Sequence, residues 1–249
     1  MSAIRLGTRA STLATTQSEM VARLLRSEGL DVDLTTITTH GDTSTASLAA
    51  MGGIGVFASA IRATLLKGEA DIAVHSFKDL PTGRPLGLAI GAVPARADPR
   101  DALVARDGLT LHDLPQEASV GTGSPRRAAQ LLAVRPDLTI VDIRGNVDTR
   151  LGRVKGLGHY AKGGGKEDLD AVVLAASGLA RLGHSGTVTE FLDPSVVLPA
   201  PAQGALAVEC RTADSRHGKL AKALARIDDR RTRLAATAER AVLSHLEAG

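Results

Sequence analysis

Short apolar runs rich in Ile, Val, Leu and Ala alternate along this chain with amphipathic stretches of helix length, a rhythm that predicts β-α-β units wound on buried sheets. After a first strand ending near Thr8, residues 15–28 place Met20, Val21, Leu24 and Leu25 at helical spacing, and residues 32–39 alternate as a strand does. Residues 57–66 read as a helix, and 70–74 and 86–93 as strands. A new series opens near Asp101, with strands at 118–121, 138–143 and 171–175, each followed by a helix; 205–209 is a late strand. Residues 229–247 form a helix candidate with Leu234, Ala238, Ala241, Val242, His245 and Leu246 near one face.

Two segments break this rhythm. Val93-Pro94-Ala95-Arg96 and Leu198-Pro199-Ala200-Pro201-Ala202 are proline-bearing extended stretches that cannot continue a helix, and both read as crossings between compact units. Two crossings mean that the chain leaves its first domain and later returns. The expected division is therefore 1–94 with 204–222, then 95–203, and then 223–249 as the start of a further region. Lys162-Gly163-Gly164-Gly165-Lys166 reads as a flexible surface insertion; Glu167 stands where a phosphate-binding loop needs Ser or Thr.

Composition narrows the function classes. With 249 residues, 43% of them hydrophobic, the chain can bury the cores of two domains. The net charge of +3 comes from basic residues interspersed with acids, as in Asp98-Pro99-Arg100-Asp101 and Asp228-Asp229-Arg230-Arg231, which reads as a solvated mixed surface. Aromatic residues make up only 2%, too few for a stacking platform, so no nucleic-acid partner is expected. A single cysteine, Cys210, excludes an intrachain disulfide and a cysteine-based metal cluster, and the seven histidines show no metal spacing. With no apolar signal core at the N-terminus and no stretch of about 20 apolar residues, a cytoplasmic protein without a membrane partner is expected.

In open α/β sheets ligands gather at the carboxyl ends of strands, so the residues just after each strand carry the functional information. In order these are Arg9 and Ser11, leading to Gln17; His75-Ser76-Phe77-Lys78-Asp79-Leu80-Pro81; Thr122-Gly123-Ser124-Pro125-Arg126-Arg127; Arg144 to Arg150; and Ser177 to Arg181. Ser124 and Pro125 suit the N-cap and first position of a helix, whose free amides would face the crevice with Arg126 and Arg127. Taken alone, each arginine could equally decorate a helix end; four strand ends that each present arginine point instead to a ligand with several carboxylates. Asp79 beside Lys78 suits proton transfer or the balancing of positive charge, although a structural salt bridge to an arginine is open as well. His75 fits a packed core position as well as a catalytic one.

Four runs, Val74 to Pro81, Gly121 to Arg127, Arg144 to Arg150 and Pro201-Ala202-Gln203-Gly204-Ala205, together resemble the porphobilinogen deaminase (hydroxymethylbilane synthase) family, in order along the whole chain. The resemblance implies an α/β fold of two domains similar to type II periplasmic binding proteins, with a double hinge crossing, an interdomain cleft and a C-terminal helix from a truncated α+β third domain. It implies a monomeric transferase of tetrapyrrole biosynthesis that condenses four porphobilinogen molecules head to tail with loss of ammonia. Asp79 would be the catalytic acid. Arg9, Ser11, Gln17, Lys78, Thr122, Ser124, Arg126, Arg127, Arg144, Arg150, Arg181 and Gln203 would bind the acetate and propionate arms of substrate, growing chain and dipyrromethane cofactor.

The chain departs from the family pattern in two places. Ile54 stands after Met51-Gly52-Gly53 where many relatives have lysine. The cysteine that anchors the dipyrromethane in the family would follow Gly249, so the chain as written is expected to hold no covalent primer and to turn over little; Cys210 matches a different family position. The apolar face of the last helix, around Leu234, Val242 and Leu246, is then expected to be exposed or repacked. A binding module for a small polycarboxylate is the alternative, and it has no need of Asp79.

Overall fold

The computed structural model describes residues 3–37, 56–83 and 85–246, and the side chains of Val56 and Phe57 fall outside the description. The Met51-Gly52-Gly53 loop, Ile54 and residues 247–249 lie outside the described residues. The chain divides into two compact units, Met1–Ala97 with Ala205–Gly249, and Asp98–Gly204.

The first unit is built on one sheet. Its strands are β1 (Ile4–Thr8), β2 (Val32–Thr36), β3 (Ile72–Ser76), β4 (Leu88–Ala92) and a returning strand (Leu206–Arg211), which is β10 by chain order, arranged β2-β1-β3-β10-β4. β1 pairs in parallel with β2 and β3, whereas β10 runs antiparallel between β3 and β4. Helices α1 (Thr12–Ser27) and α2 (Val56–Leu66) connect the early strands. Alternate residues of β3 point to opposite faces: Ile72 and Val74 join a core with Leu6, Val21, Leu25 and Leu224, while Ala73 joins Ile61, Leu65 and Leu88. A sheet buried on both faces accounts for its near-continuous apolar runs.

The second unit repeats the plan. Strands β5 (Asp101–Ala105), β6 (Ser119–Gly121), β7 (Thr139–Val141), β8 (Ala171–Ala175) and β9 (Glu190–Phe191) lie in the order β7-β6-β8-β5-β9. β6, β7 and β8 are parallel, and β5 is inserted antiparallel beside β8. Leu131 of α3 (Pro125–Val134) packs on one face with Leu103, Val120 and Val173; Leu151 of α4 (Val147–Leu151) and Leu179 of α5 (Ala176–Arg181) pack on the other with Ala102, Val104 and Val172. In the 162–166 stretch Gly165 is not loose: its amide donates to Gly158 O at 2.9 Å, and a side chain there would collide with the Gly152 carbonyl.

Helix α6 (Gly218–Ile227) buries Ala223 and Leu224 in the core of the first unit. The division expected at 222–223 therefore falls inside a helix whose packing joins it to that unit. Helix α7 (Arg230–His245) docks on the same unit, and it does so through polar groups. Its N-cap Asp229 accepts from Thr232 N at 2.7 Å, Asp229 N donates to Val93 O at 2.8 Å, and Arg96 grips Glu239 with two hydrogen bonds of 2.6 and 2.9 Å. Leu234, Val242 and Leu246 are left 59%, 60% and 67% exposed, so the apolar stripe is not the docking face. Among the described residues no helix is long and apolar enough to cross a membrane.

Because α7 is held by charge-assisted bonds, Glu239→Ala should lower stability by about 1 kcal/mol, while Leu234→Ser should change it by less than about 0.5 kcal/mol. Urea unfolding midpoints of the two variants check the contrast; equal losses would mean that the apolar stripe carries the docking.

Candidate functional site

In the first unit the parallel register of β1 and β3 brings their carboxyl ends to one edge of the sheet. Ser11, just after β1, is the N-cap of α1 and accepts from Ala14 N at 3.4 Å. Arg9 beside it is half-buried. Gln17, one turn into the helix, is buried and donates from Nε2 to Ser76 Oγ at 3.0 Å, which ties α1 to the end of β3. There the chain makes a 3₁₀ turn, Phe77–Asp79, closed by Leu80 N donating to Phe77 O at 3.4 Å. Phe77 and Leu80 point into the protein, Lys78 is half-buried, and Asp79 is exposed. Among the described residues no ion pair engages Asp79. The antiparallel β10 starts at this same edge, with Leu206 opposite Ser76, and Ala205 O accepts from Phe77 N at 3.0 Å.

His75 is a core residue. Its Nε2 lies 3.4 Å from Glu209 Oε2 without hydrogen-bond geometry, and Glu209, with no exposed surface, takes two 3.1 Å bonds from Arg62 Nε. Burial pushes the Glu209 carboxyl up, but His75 and Arg62 outweigh it and leave it below its ordinary value.

In the second unit the carboxyl ends of β6, β7 and β8 share one edge, and the antiparallel β5 delivers its first residue, Asp101, to the same place, opposite Ala175. Ser124 caps α3 by accepting from Arg127 N at 3.4 Å with Pro125 in the first turn, as the sequence predicts, and the buried Thr122 accepts from Ser124 N at 3.2 Å. Arg126 and Arg127 each donate from Nη2 to Asp101, to Oδ2 and Oδ1 respectively, both at 2.7 Å. Gln203, fully buried, completes the clamp with Nε2 2.8 Å from Asp101 Oδ1 and 2.7 Å from Pro99 O. Arg127 Nη1 donates to Val173 O at 3.1 Å, and Arg126 Nη1 to Leu198 O.

Asp101 was read in the sequence as part of a mixed charged surface, and the structure corrects this: it has no exposed surface at all. Burial pushes its pKa up, yet Arg127 and Arg126 together more than offset that and hold the carboxyl below its ordinary value. The signal lay in the apolar run 102–105 that it heads, since a carboxylate at the mouth of a buried strand needs cationic company.

The remaining arginines are in a different position. Arg150, half-buried on α4, donates from Nε to Gly145 O at 2.9 Å; burial lowers its pKa, and the charges of Arg127 and Arg144 lower it further against the opposing pull of Asp142. Arg144 itself is exposed after β7. Arg181, at the end of α5, donates from Nη2 to Gly204 O at 2.7 Å, its buried Nε has no acceptor, and burial lowers its pKa to about 10. Arg127 Nε is likewise buried without an acceptor. Around this edge Asp101 feels the charges of Arg126 and Arg127, and Arg150 feels those of Arg127, Arg144 and Asp142. Guanidiniums gathered in this way have the fork geometry that suits planar carboxylates.

Cys210 sits in β10 with no exposed surface, and burial, with Asp214 nearby, pushes its thiol up to about 11. It is not poised for thioether chemistry. Among the described residues no group of His, Cys, Asp and Glu is arranged to hold a metal ion.

Residues 4–219 match the family model described as "Porphobilinogen deaminase, dipyromethane cofactor binding domain". The porphobilinogen deaminase of Cutibacterium acnes is 97% identical over 249 residues, spanning 100% of this chain and 75% of that protein. That of Micrococcus luteus is 56% identical over 268 residues, spanning 100% and 71%. Among solved structures, an ABC transporter periplasmic substrate-binding protein from Coxiella burnetii shares the fold with a TM-score of 0.53 at 16% identity, covering 94% of this chain and 96% of that one. A nutrient binding protein from Burkholderia cenocepacia, bound to methionine, gives 0.51 at 16% identity, covering 89% and 91%. At such identities the likeness is one of fold, that of type II periplasmic binding proteins.

Two outcomes follow from the geometry of the site. Asp101 titrates below its ordinary 3.8, so its contribution to stability is present above about pH 4 and is lost as the pH falls through the lower, folded value. Asp101→Asn should lower stability at pH 7 by about 3 kcal/mol, because it strands two sheltered guanidiniums, and should flatten the acid limb of a stability-against-pH curve; an unchanged limb would contradict the clamp. Cys210 should resist alkylation at pH 8 in the native protein and react once the protein is unfolded, as read by intact mass.

Proposed function

The chain belongs to the porphobilinogen deaminase family, and from that premise we propose how its own side chains carry the reaction. The function is that of a hydroxymethylbilane synthase, a transferase of tetrapyrrole biosynthesis that joins porphobilinogen molecules head to tail and releases ammonia. A purely binding role draws no support from relatives that are deaminases.

The observation that carries the assignment of roles is the surplus of sheltered guanidinium charge at the strand ends of the second unit. Each pyrrole of substrate and product bears an acetate and a propionate. Arg126, Arg127, Arg144, Arg150 and Arg181 bind these arms, with Thr122 and Ser124 adding hydroxyl donors, and Gln203 holds Asp101 so that the arginine forks stay oriented. In the first unit Arg9, Ser11 and Lys78 supply further contacts, and Gln17 acts through Ser76. The residues also fit the family's dipyrromethane, since the unpaired Nε groups of Arg127 and Arg181 are suited to its carboxylates. When bound, that group supplies the nucleophilic pyrrole at which condensation begins.

Asp79 handles the protons. In its acid form it gives a proton to the aminomethyl nitrogen of porphobilinogen; the C–N bond breaks with its electron pair leaving on ammonia, and the ring nitrogen's lone pair forms the exocyclic double bond. The resulting Asp79 carboxylate faces the positive charge on that ring. The α-carbon of the preceding pyrrole attacks the exocyclic methylene, the new C–C bond forms as the double bond's electron pair returns toward the ring nitrogen, and the α-proton lost from the attacking carbon goes to Asp79. Its exposure on a turn anchored by buried Phe77 and Leu80 supports this assignment, because the carboxyl is presented outward from a fixed base. We also assign the protein to the cytoplasm as a monomer that takes a small-molecule substrate and no nucleic acid, in keeping with its 2% aromatic content.

In a full-length version that carries the family's cofactor cysteine and its primer, Asp79→Asn should lower kcat by about 100-fold or more while porphobilinogen still binds. Arg181→Gln should instead weaken binding by about 10-fold, the loss of one charge-assisted contact. Unchanged turnover in Asp79→Asn would remove the carboxyl from the chemistry.

A further inference from the structure

The turn that carries Asp79 is held from a distant part of the chain. Arg240, on the docking face of α7, donates from Nη1 to Phe77 O at 3.0 Å and to Leu80 O at 2.8 Å, and from Nη2 to Pro81 O at 2.7 Å. Its Cζ lies 4.6 Å from the centre of the Phe77 ring. Three carbonyls of one five-residue segment, on both sides of Asp79, therefore converge on one rigid guanidinium whose own plane is fixed by stacking.

No carboxylate pairs with Arg240 among the described residues. Burial, and then the charge of Arg62, lower its pKa, which marks a cation kept in sheltered surroundings next to a like charge. A guanidinium in that situation would gain from an acidic partner, yet all its described hydrogen bonds go to backbone oxygens of this turn. Apart from Arg240, α7 is held at its start by Asp229 with Val93 and Arg96 with Thr232, and further along by Arg96 with Glu239. Docking of the helix thus does not require Arg240, and its contacts are directed at the turn itself.

We propose that Arg240 is a positioning residue, which sets the direction of the Asp79 carboxyl by clamping the Phe77, Leu80 and Pro81 carbonyls. This rests on the assignment of Asp79 as the group that handles protons. Arg240 touches no reacting atom; it acts by restricting the turn, as orientation within a few tenths of an ångström is what separates fast from slow proton transfer.

A double-mutant cycle tests this in the full-length version that carries the primer, using Arg240→Gln, Arg240→Lys, Asp79→Asn and the combination of Asp79→Asn with Arg240→Gln. Arg240→Gln should lower kcat by about 10- to 100-fold with KM changed by less than about 3-fold, and Arg240→Lys should recover part of the loss. In the Asp79→Asn background the same Gln substitution should change kcat by less than about 2-fold. An equal loss in both backgrounds would overturn the proposal while leaving Asp79 in place, and an active Asp79→Asn enzyme would overturn the assignment of Asp79 itself. Hydrogen exchange reads the clamp without turnover: exchange at the Leu80 amide should quicken at least about 10-fold in Arg240→Gln while amides in the first turns of α7 keep their protection. Unchanged exchange at Leu80 would also overturn the proposal. Should the Gln variant fail to fold, Arg240→Lys is compared in both backgrounds, and a kcat loss that persists undiminished with Asp79→Asn counts against it.

Discussion

A carboxylate with no exposed surface dictates the layout of the second unit. Asp101 heads a strand buried on both faces, and leaving its charge unpaired there would cost several kcal/mol. Arg126 and Arg127 therefore bend toward it from the first turn of α3, and Gln203 reaches it from the segment where the chain returns to the first unit. Pro99 O shares the Gln203 amide, so the two ends of the second unit's chain are tied together beside Asp101. The orientation of the arginine forks at the start of α3 is thus tied to one desolvated charge.

The clamp settles only part of the positive charge. One carboxylate orients two guanidiniums, and Arg150 lies close enough to Arg127 and Arg144 for their repulsion to lower its pKa. Like charges at that range repel, and a carboxylate ligand would relieve that repulsion. The first unit contrasts with this. Its buried charges, Glu209 with Arg62, are internally matched, and the group it presents at its strand ends is an outward-facing acid, Asp79. The arginine-rich edge and the turn that presents Asp79 thus belong to different units of the same plan, each at the carboxyl edge of its sheet.

The parts of this arrangement governed by local rules were legible in the sequence. Strand ends bearing arginine, the Ser124-Pro125 helix start, the proline-bearing crossings and the α/β rhythm all follow from neighbours within a few residues. What escaped was decided by pairing between distant segments. Asp101 stands among Asp98, Pro99 and Arg100 and looks solvated, until the antiparallel insertion of β5 beside β8 removes it from water. The exposure of Leu234, Val242 and Leu246 on α7 was expected; what the sequence did not reveal is that the helix docks through Thr232, Glu239 and Arg240, because the surface it meets presents backbone carbonyls and Arg96. Periodicity reads apolar faces and is blind to a helix recruited by hydrogen bonds.

The central claim, that the guanidinium surplus at the second unit's strand ends exists to receive substrate carboxylates, is tested most directly by comparing the affinity of porphobilinogen with that of its dimethyl ester by calorimetric titration. Two carboxylates, each in charge-assisted contact, predict that the free acid binds about 100-fold more tightly than the ester. Equal affinities would contradict the claim and leave the arginines as structure alone.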